Sequence, residues 1–432
     1  MISSHVAAFL ARRNIHYGWA VVAVTFLTML VTAGAVGAPG VLILPLHQEF
    51  GWETAEISAA LAIRLLLFGL IGPFAAALLN RYGVRRITLA ALSLIAGGLV
   101  LSLAMTRIWQ LILLWGVVIG FGTGLTALVL GATVATRWFS DRRGLVIGLL
   151  TASSATGQLL FLPLLASLTE RLGWRPAVAL VCILLGLAAL LVFMIMRDRP
   201  SELGLSAYGE TTGATAPSAS LVLISPLVAL REAARTREFW ILFGTFFICG
   251  ASTNGLIQTH FIPLCADYGL AAVGAASVLA VMGVFDFIGT VGSGWLSDRF
   301  DNRWLLFWYY GLRGLSLLYL PFTEFSFYGL SLFAIFYGLD WIATVPPTVK
   351  LTATKFGRER ANLVFGWIFA GHQLGAAAAA FGSGFSRTTL DTYLPAFFAA
   401  GGLCLIAASL ILTWRDGMQR STIVSTASAP AR

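Results

Sequence analysis

Apolar runs of about twenty residues alternate along this chain with short polar turns, a spacing that fits helices crossing a bilayer core of roughly 30 Å. The runs fall near Tyr17–Leu46, Thr54–Leu79, Ile87–Thr106 and Trp109–Thr136. A fifth passes Gly144, Gly148, Ala152 and Pro163, and a sixth ends near Met196. After a long polar stretch they resume near Phe239–Cys265, Ala271–Leu296, Trp304–Phe322, Phe325–Leu351, Asn362–Phe385 and Thr392–Trp414. Every spanning backbone must satisfy its own hydrogen bonds, so the pattern predicts twelve helices. A basic turn, Asn80-Arg81-Tyr82-Gly83-Val84-Arg85-Arg86, follows the second run and returns 218 residues later, after the eighth, as Asp298-Arg299-Phe300-Asp301-Asn302-Arg303. Recurrence at the same point of each half predicts a duplication and two pseudo-symmetric six-helix bundles.

Composition agrees with that class: 58% of the 432 residues are hydrophobic, 11% are charged and the mean hydropathy is +0.86, too little polar surface for a water-soluble globule. The net charge of +9 raises the question of nucleic acid, but the basic residues lie scattered through turns and form no patch. They follow topology instead: 22 of the 28 fall in loops on one side, four (Arg107, Arg171, Arg175, Arg387) on the other, and two inside spans. The positive-inside rule then places both termini in the cytoplasm. Arg12-Arg13 before an apolar run imitates a cleaved signal, but the run continues to Leu46. Cys182, Cys249, Cys265 and Cys404 lack the spacing of a disulfide framework or metal site and read as packing residues.

The pattern Leu-x-Asn/Asp-Arg-Tyr/Phe with trailing arginines resembles the signature loop of the major facilitator superfamily, the second copy looking like its echo. Two departures stand out, Ala76 for the leading Gly and Asp301 for the inner Gly of the second copy. The resemblance implies an all-α membrane protein with twelve transmembrane helices in two six-helix bundles rocking about a central site. Its domains would be residues 1–16 (N-terminus), 17–196 (first bundle), 197–238 (linker), 239–414 (second bundle) and 415–432 (tail). It also implies that Asn80, Arg81, Asp298 and Arg299 act as latches that gate access. Within the superfamily the chain most resembles the monocarboxylate-porter and oxalate/formate-antiporter branch. Tyr17-Gly18-Trp19, Trp138-Phe139, Arg142-Arg143, Gly173-Trp174-Arg175 and Pro200-Ser201-Glu202-Leu203-Gly204-Leu205 carry that likeness. Asp286 sits where the branch has a helix 8 Asp, but its partner Arg is Thr290 here, and the helix 1 Lys of animal members is also missing.

No Gly-rich loop ends in Lys-Ser or Lys-Thr, so a gradient rather than ATP should supply the energy. The intramembrane groups able to couple to one are Arg64, Asp286, Arg313 and Asp340; each costs roughly 2.5–3.5 kcal/mol on an insertion scale, so they should pair or face water. Asp286 and Arg313 lie at similar depth and are read as an ion pair. Alternatively, Arg64 or Arg313 holds a carboxylate while Asp286 or Asp340 changes protonation. Asn254 and Gln258, four apart, share a face, and His372 and Gln373 add polar groups on helix 11. Trp341, Tyr337 and Phe336 could stack on a planar substrate. Gly34, Gly37, Pro39 and Gly40 should bend or unwind helix 1, and Pro346-Pro347 should unwind helix 10. Residues Tyr208–Ser220 read as a flexible linker, and Ser225-Pro226 opens a helix that should lie on the membrane with Leu227, Leu230 and Ala234 on one side.

The expectation is a monomeric secondary transporter of a cell inner membrane, importing a small organic acid with protons. The alternatives are uptake of a neutral or heteroaromatic nutrient such as a vitamin, or efflux of a metabolite or drug. No Ser/His/Asp or metal-ligand cluster points to an enzyme, and no cofactor or metal is expected.

Overall fold

The computed structural model describes residues 2–126, 128–210 and 226–414. Among the described residues twelve passes are built from α2 (Gly18–Phe50), α3 (Thr54–Tyr82), α4 (Val84–Ser102), α5 (Ile108–Trp138), α6 (Arg143–Leu172), α7 (Trp174–Ile195), α9 (Arg237–Asp267), α10 (Ala272–Ser297), α11 (Asn302–Tyr319), the broken pair α12 (Phe327–Asp340) and α13 (Val345–Phe356), α14 (Arg358–Leu390) and α15 (Leu394–Ile411); all but α6 and α11, ten in number, are long and apolar enough by themselves to cross a membrane. Two short helices accompany them. The first, α1 (Ile2–Ala11), was not foreseen, and packs Val6, Ala7 and Leu10 on the first bundle. The second, α8 (Pro226–Ala233), buries Ala229 and Ala233, while Leu227 points outward at 57% exposure. Only part of the expected face is turned outward: Leu230 and Ala234 pack on the second bundle beside Ala229 and Ala233, and the Trp367 indole donates to the Pro226 carbonyl at 2.8 Å.

Residues 17–196 share one apolar core, from Tyr17 to Met196. Between the bundles, α3 runs along α14 and α6 along α10, a pair of contacts that exchanges when the halves are swapped. That is the symmetry the repeated turns imply. The ends of the molecule differ. At the arginine end lie the turns containing Arg81 and Arg299; at the far end the bundles are closed on each other. There Val41, Leu162 and Ala166 of the first bundle join the second bundle's core, the Ala55 amide donates to Thr388 Oγ1 at 3.1 Å, and the Val273 amide donates to Glu170 Oε1 at 3.2 Å.

The two basic turns solve one problem differently. Each must cap the N-terminus of the following helix, whose first amides have no helical partner. In the first copy Asp198 reaches over from beyond α7 and accepts the Arg85 amide at 2.8 Å. Only glycine permits this, because Gly83 has φ +90° and a Cβ there would lie 2.3 Å from Asp198 Oδ2. In the second copy Asp301 caps its own helix, accepting the Arg303 amide at 2.9 Å. The Arg303 guanidinium, hydrogen-bonded to it, holds its carboxyl below the usual range. The departure from Gly to Asp at 301 is thus a cap supplied locally.

Tyr208, where the expected flexible linker starts, is tied to the first bundle. Its carbonyl accepts from the Ser140 and Asp141 amides, at 2.9 and 3.1 Å, and its amide donates to the Trp138 carbonyl. Residues 211–220 of that stretch, with Ser225 and the tail from Arg415, lie outside the described residues.

Candidate functional site

Between the bundles lies a cavity of about 500 Å³, within the range of small-molecule sites. It spans from mid-membrane, at Val36 on α2 and Gly283 on α10, to Gly148, Val291 and Val345. Gly148 and Val291 each lie within six residues of the arginine end of their helices, about 9 Å at the helical rise. The cavity therefore extends toward the arginine end and stops beneath the closed far end.

Arg64, on α3, is 5% exposed and lines this cavity. Its Nη1 donates to the carbonyls of Ala35, at 3.3 Å, and Val36, at 3.0 Å. The first of these is the carbonyl that would bond to residue 39, and Pro39 has no N–H to give it. The expected unwinding of the first span is absent: α2 is continuous through Pro39, and the guanidinium takes the orphaned acceptor. Nε and Nη2 make no hydrogen bond among the described residues, and no carboxylate stands within ion-pair distance.

The other three intramembrane charges gather around the gap between α12 and α13, where Pro346 and Pro347 withhold amides. Arg313 is wholly buried and pairs with Asp340, Nε to Oδ2 at 2.8 Å. Its Nη2 donates to the carbonyls of Asp340 and Trp341, and its Nη1 to Cys249 Sγ at 2.9 Å. On the opposite side Asp286 Oδ1 accepts the Ile342 amide at 2.8 Å and the Thr290 hydroxyl at 3.1 Å. Ser293 donates to the Ala343 carbonyl at 2.6 Å. The backbone groups freed by the break are satisfied by side chains of α10 and α11, as a span in lipid requires. The expected pairing of Asp286 with Arg313 is replaced by Arg313 with Asp340: equal depth along two helices does not make them neighbours, and the guanidinium follows the freed carbonyls. Neither Arg313 nor Asp340 lines the cavity; Asp286 does.

The remaining polar candidates converge on the cavity. Asn254, Gln258, His372, Gln373 and Trp341 all line it. Gln258 Nε2, His372 Nδ1, Gln373 Oε1 and Thr32 Oγ1 are buried and have no partner among the described residues, which is costly unless a ligand or water supplies one. Asn254 and Gln258 sit in a π-helical stretch, Ala251–Gln258, a geometry frequent at functional sites. Phe68, Phe246, Phe287 and Phe369 form much of the wall, and the His372 ring stacks on Phe369 at 5.6 Å. Of the expected aromatics, Phe336 is 61% exposed on the outer surface, and Tyr337 is buried with its hydroxyl on the Ser252 carbonyl. Thr32 and the phenylalanines were missed; hydropathy gives no signal for which apolar face meets a cavity.

At the arginine end, Asp298 pairs with Lys350 at 3.0 Å, and Arg299 lies over the Trp295 ring at 4.1 Å. Arg81 lies over the Tyr82 ring at 5.3 Å; the Asn80 side chain is outside the described residues. Among the described residues no group of His, Cys, Asp or Glu is arranged to hold a metal ion.

Two matched bundles around a partly polar, mid-membrane cavity define a multi-pass membrane carrier. Residues 24–380 match the Major Facilitator Superfamily, and the chain belongs to it. Relatives come from the monocarboxylate-porter branch: it is 27% identical over 402 residues to monocarboxylate transporter 13 of Rattus norvegicus, covering 92% of this chain and 89% of that protein. It is 26% identical to monocarboxylate transporter 12-B of Danio rerio over 422 residues, 92% and 86% of the two chains. The uncharacterized MFS-type transporter YcxA of Bacillus subtilis is 23% identical over 371 residues, 82% and 84%. The crystal structure of a D-xylose-proton symporter superposes with a TM-score of 0.68 over 93% of this chain and 98% of that one, at 15% identity, a likeness of fold. The family and its members are transporters, and this protein is a transporter rather than an enzyme.

Proposed function

We propose that the protein imports a small, monocarboxylate-like organic acid together with protons by alternating access, residues 17–196 rocking against residues 239–414. The observation that carries this reading is Arg64: a buried guanidinium in the cavity wall whose Nε and Nη2 stay uncommitted, with no carboxylate within ion-pair distance among the described residues. A substrate carboxylate supplies the missing charge in the fork geometry that guanidinium favours. Gln258, His372, Gln373 and Asn254 then complete its polar contacts, and the aromatic wall receives an apolar body. Asp286, on the other bundle, takes the coupled proton. Its Oδ1 is committed to Ile342 and Thr290, leaving Oδ2 to carry it. Asp340, held by Arg313, would respond indirectly by loosening the clamp on the α12 break. Asn80-Arg81 and Asp298-Arg299 would latch the arginine end in the opposite state.

The bias of basic residues supports a cytoplasmic arginine end and both termini inside, in a cell inner membrane, with the monomer as the working unit. The present shape, closed at the far end, is then the one that faces the cytoplasm. A second reading, uptake of a neutral or heteroaromatic nutrient, draws on the four phenylalanines and Trp341 around the cavity.

Proteoliposomes with an imposed pH gradient, offered radiolabelled aliphatic and aromatic monocarboxylates, decide between them. Saturable, gradient-driven uptake lost in Arg64→Gln supports the organic acid. Uptake of uncharged heteroaromatics that ignores Arg64→Gln supports the second reading, and flux that never saturates overturns both.

A further inference from the structure

A second concavity, of about 620 Å³, opens at the arginine end where α3 and α7 finish and α4 begins. Its charge is lopsided: Arg81, Arg85, Arg86, Arg137 and Arg199 face only Asp198 and Glu202. Asp198 is already spent capping α4 through the Arg85 amide. Arg86 and Arg199 make no hydrogen bond or ion pair among the described residues, and Arg85 Nε is buried without a partner. Surplus guanidinium in a concave surface attracts a group with several anionic oxygens, and phosphate matches its fork of donors.

The wall on the membrane side is apolar. Phe193, two residues before the end of α7, is 58% exposed; the Arg85 guanidinium lies over its ring at 4.8 Å and donates to its carbonyl. Leu89, two turns into α4, continues the wall toward the hydrocarbon. A soluble phosphate has no use for that wall. A phospholipid uses both parts, phosphate among the arginines and acyl chain along Phe193.

We infer that this concavity binds the headgroup of an anionic phospholipid of the leaflet at the arginine end, independently of the transported substrate. Since Arg81 and Gly83 belong to the turn between α3 and α4, the bound headgroup would bear on the latch proposed above. Juxtamembrane basic residues each contribute about a five-fold gain in affinity for anionic lipid.

Delipidated full-length protein in a neutral detergent is titrated with palmitoyl-oleoyl-phosphatidylglycerol, with the phosphatidylcholine of the same chains, and with inorganic phosphate. Native mass spectrometry counts adducts and thermal unfolding reads stabilisation. The expected result is phosphatidylglycerol binding that raises the melting temperature, with an apparent affinity about twenty-five-fold weaker in Arg86→Gln/Arg199→Gln. Both residues are unpaired among the described residues, and Arg12→Gln/Arg13→Gln serves as a charge-matched control that should bind as the parent does. Equal binding of phosphatidylcholine, equal stabilisation by inorganic phosphate alone, or undiminished phosphatidylglycerol binding by the double variant would each overturn the assignment. Should the double variant misfold, hydrogen exchange on the parent decides. Protection of residues 81–89 and 193–202 in phosphatidylglycerol but not phosphatidylcholine nanodiscs supports the site, and equal protection in both refutes it.

Discussion

Arg64 Nη1 sits 3.3 Å from the carbonyl of Ala35, the acceptor that Pro39 leaves empty four residues on. The guanidinium therefore has two tasks, one structural and one open to a substrate, and they can be separated. Arg64→Gln should cost about 1–3 kcal/mol of stability by stranding a buried acceptor. In a Pro39→Ala background, where the helix regains its own amide, that cost should largely vanish while monocarboxylate uptake stays at least ten-fold down. Thermal unfolding of the four proteins of the cycle, with uptake by each, checks this. If Pro39→Ala restores uptake along with stability, Arg64 is a helix-mending residue only.

Asp286→Asn keeps an oxygen for the Ile342 amide and for Thr290 but cannot exchange a proton. Accumulation driven by a pH gradient should be abolished while exchange of labelled for unlabelled substrate persists. Counterflow and gradient-driven uptake in the same vesicles measure the two. Loss of both at an unchanged melting temperature would mean that Asp286 contacts substrate instead of carrying the proton.

The Arg313–Asp340 pair is enclosed, so the costs of losing its two members should not add. Asp340→Ala leaves a buried guanidinium uncompensated, at a cost of about 3–5 kcal/mol. Arg313→Met strands the carbonyls of Asp340 and Trp341 as well. The double variant Arg313→Met/Asp340→Ala should be less destabilised than the sum of the singles, a coupling that denaturant or thermal melts in detergent would reveal. Strict additivity would show that the two charges are not energetically paired.

Periodicity and repetition were enough to read the twelve spans and the two bundles, because lipid forces nearly every apolar run of that length into a helix. The depths of Arg64 and Asp286 were legible for the same reason, since 1.5 Å per residue converts position into height. Rotation about the helix axis was not. Arg313 and Asp286 share a height, yet the guanidinium turns to Asp340 and to the carbonyls of Asp340 and Trp341, freed by the break between α12 and α13. Phe336 and Trp341 lie five residues apart, about 140° around a helix, and one meets the surface while the other meets the cavity. The Gly83–Asp198 and Asp301 caps became intelligible only once the residue filling each role could be seen in space.

Closure of the far end rests on small residues meeting across the two bundles, and one of these contacts has a built-in control. A Cβ on Gly384 would lie 2.2 Å from Ser58 Oγ, whereas Gly382, two residues earlier on α14, has open space. Both substitutions make the same change in side chain and helix propensity, so only the collision differs. Gly384→Val should force α3 and α14 apart at that end and expose the cavity there; Gly382→Val should not. Asn254 lines the cavity, and Asn254→Cys can report on this when Cys182, Cys249, Cys265 and Cys404 are replaced by Ser. A membrane-impermeant maleimide added from the far side should label the thiol at position 254 at least ten-fold faster with Gly384→Val than without it or with Gly382→Val. Equal rates in all three would mean that the contact between Gly384 and Ser58 does not seal the cavity.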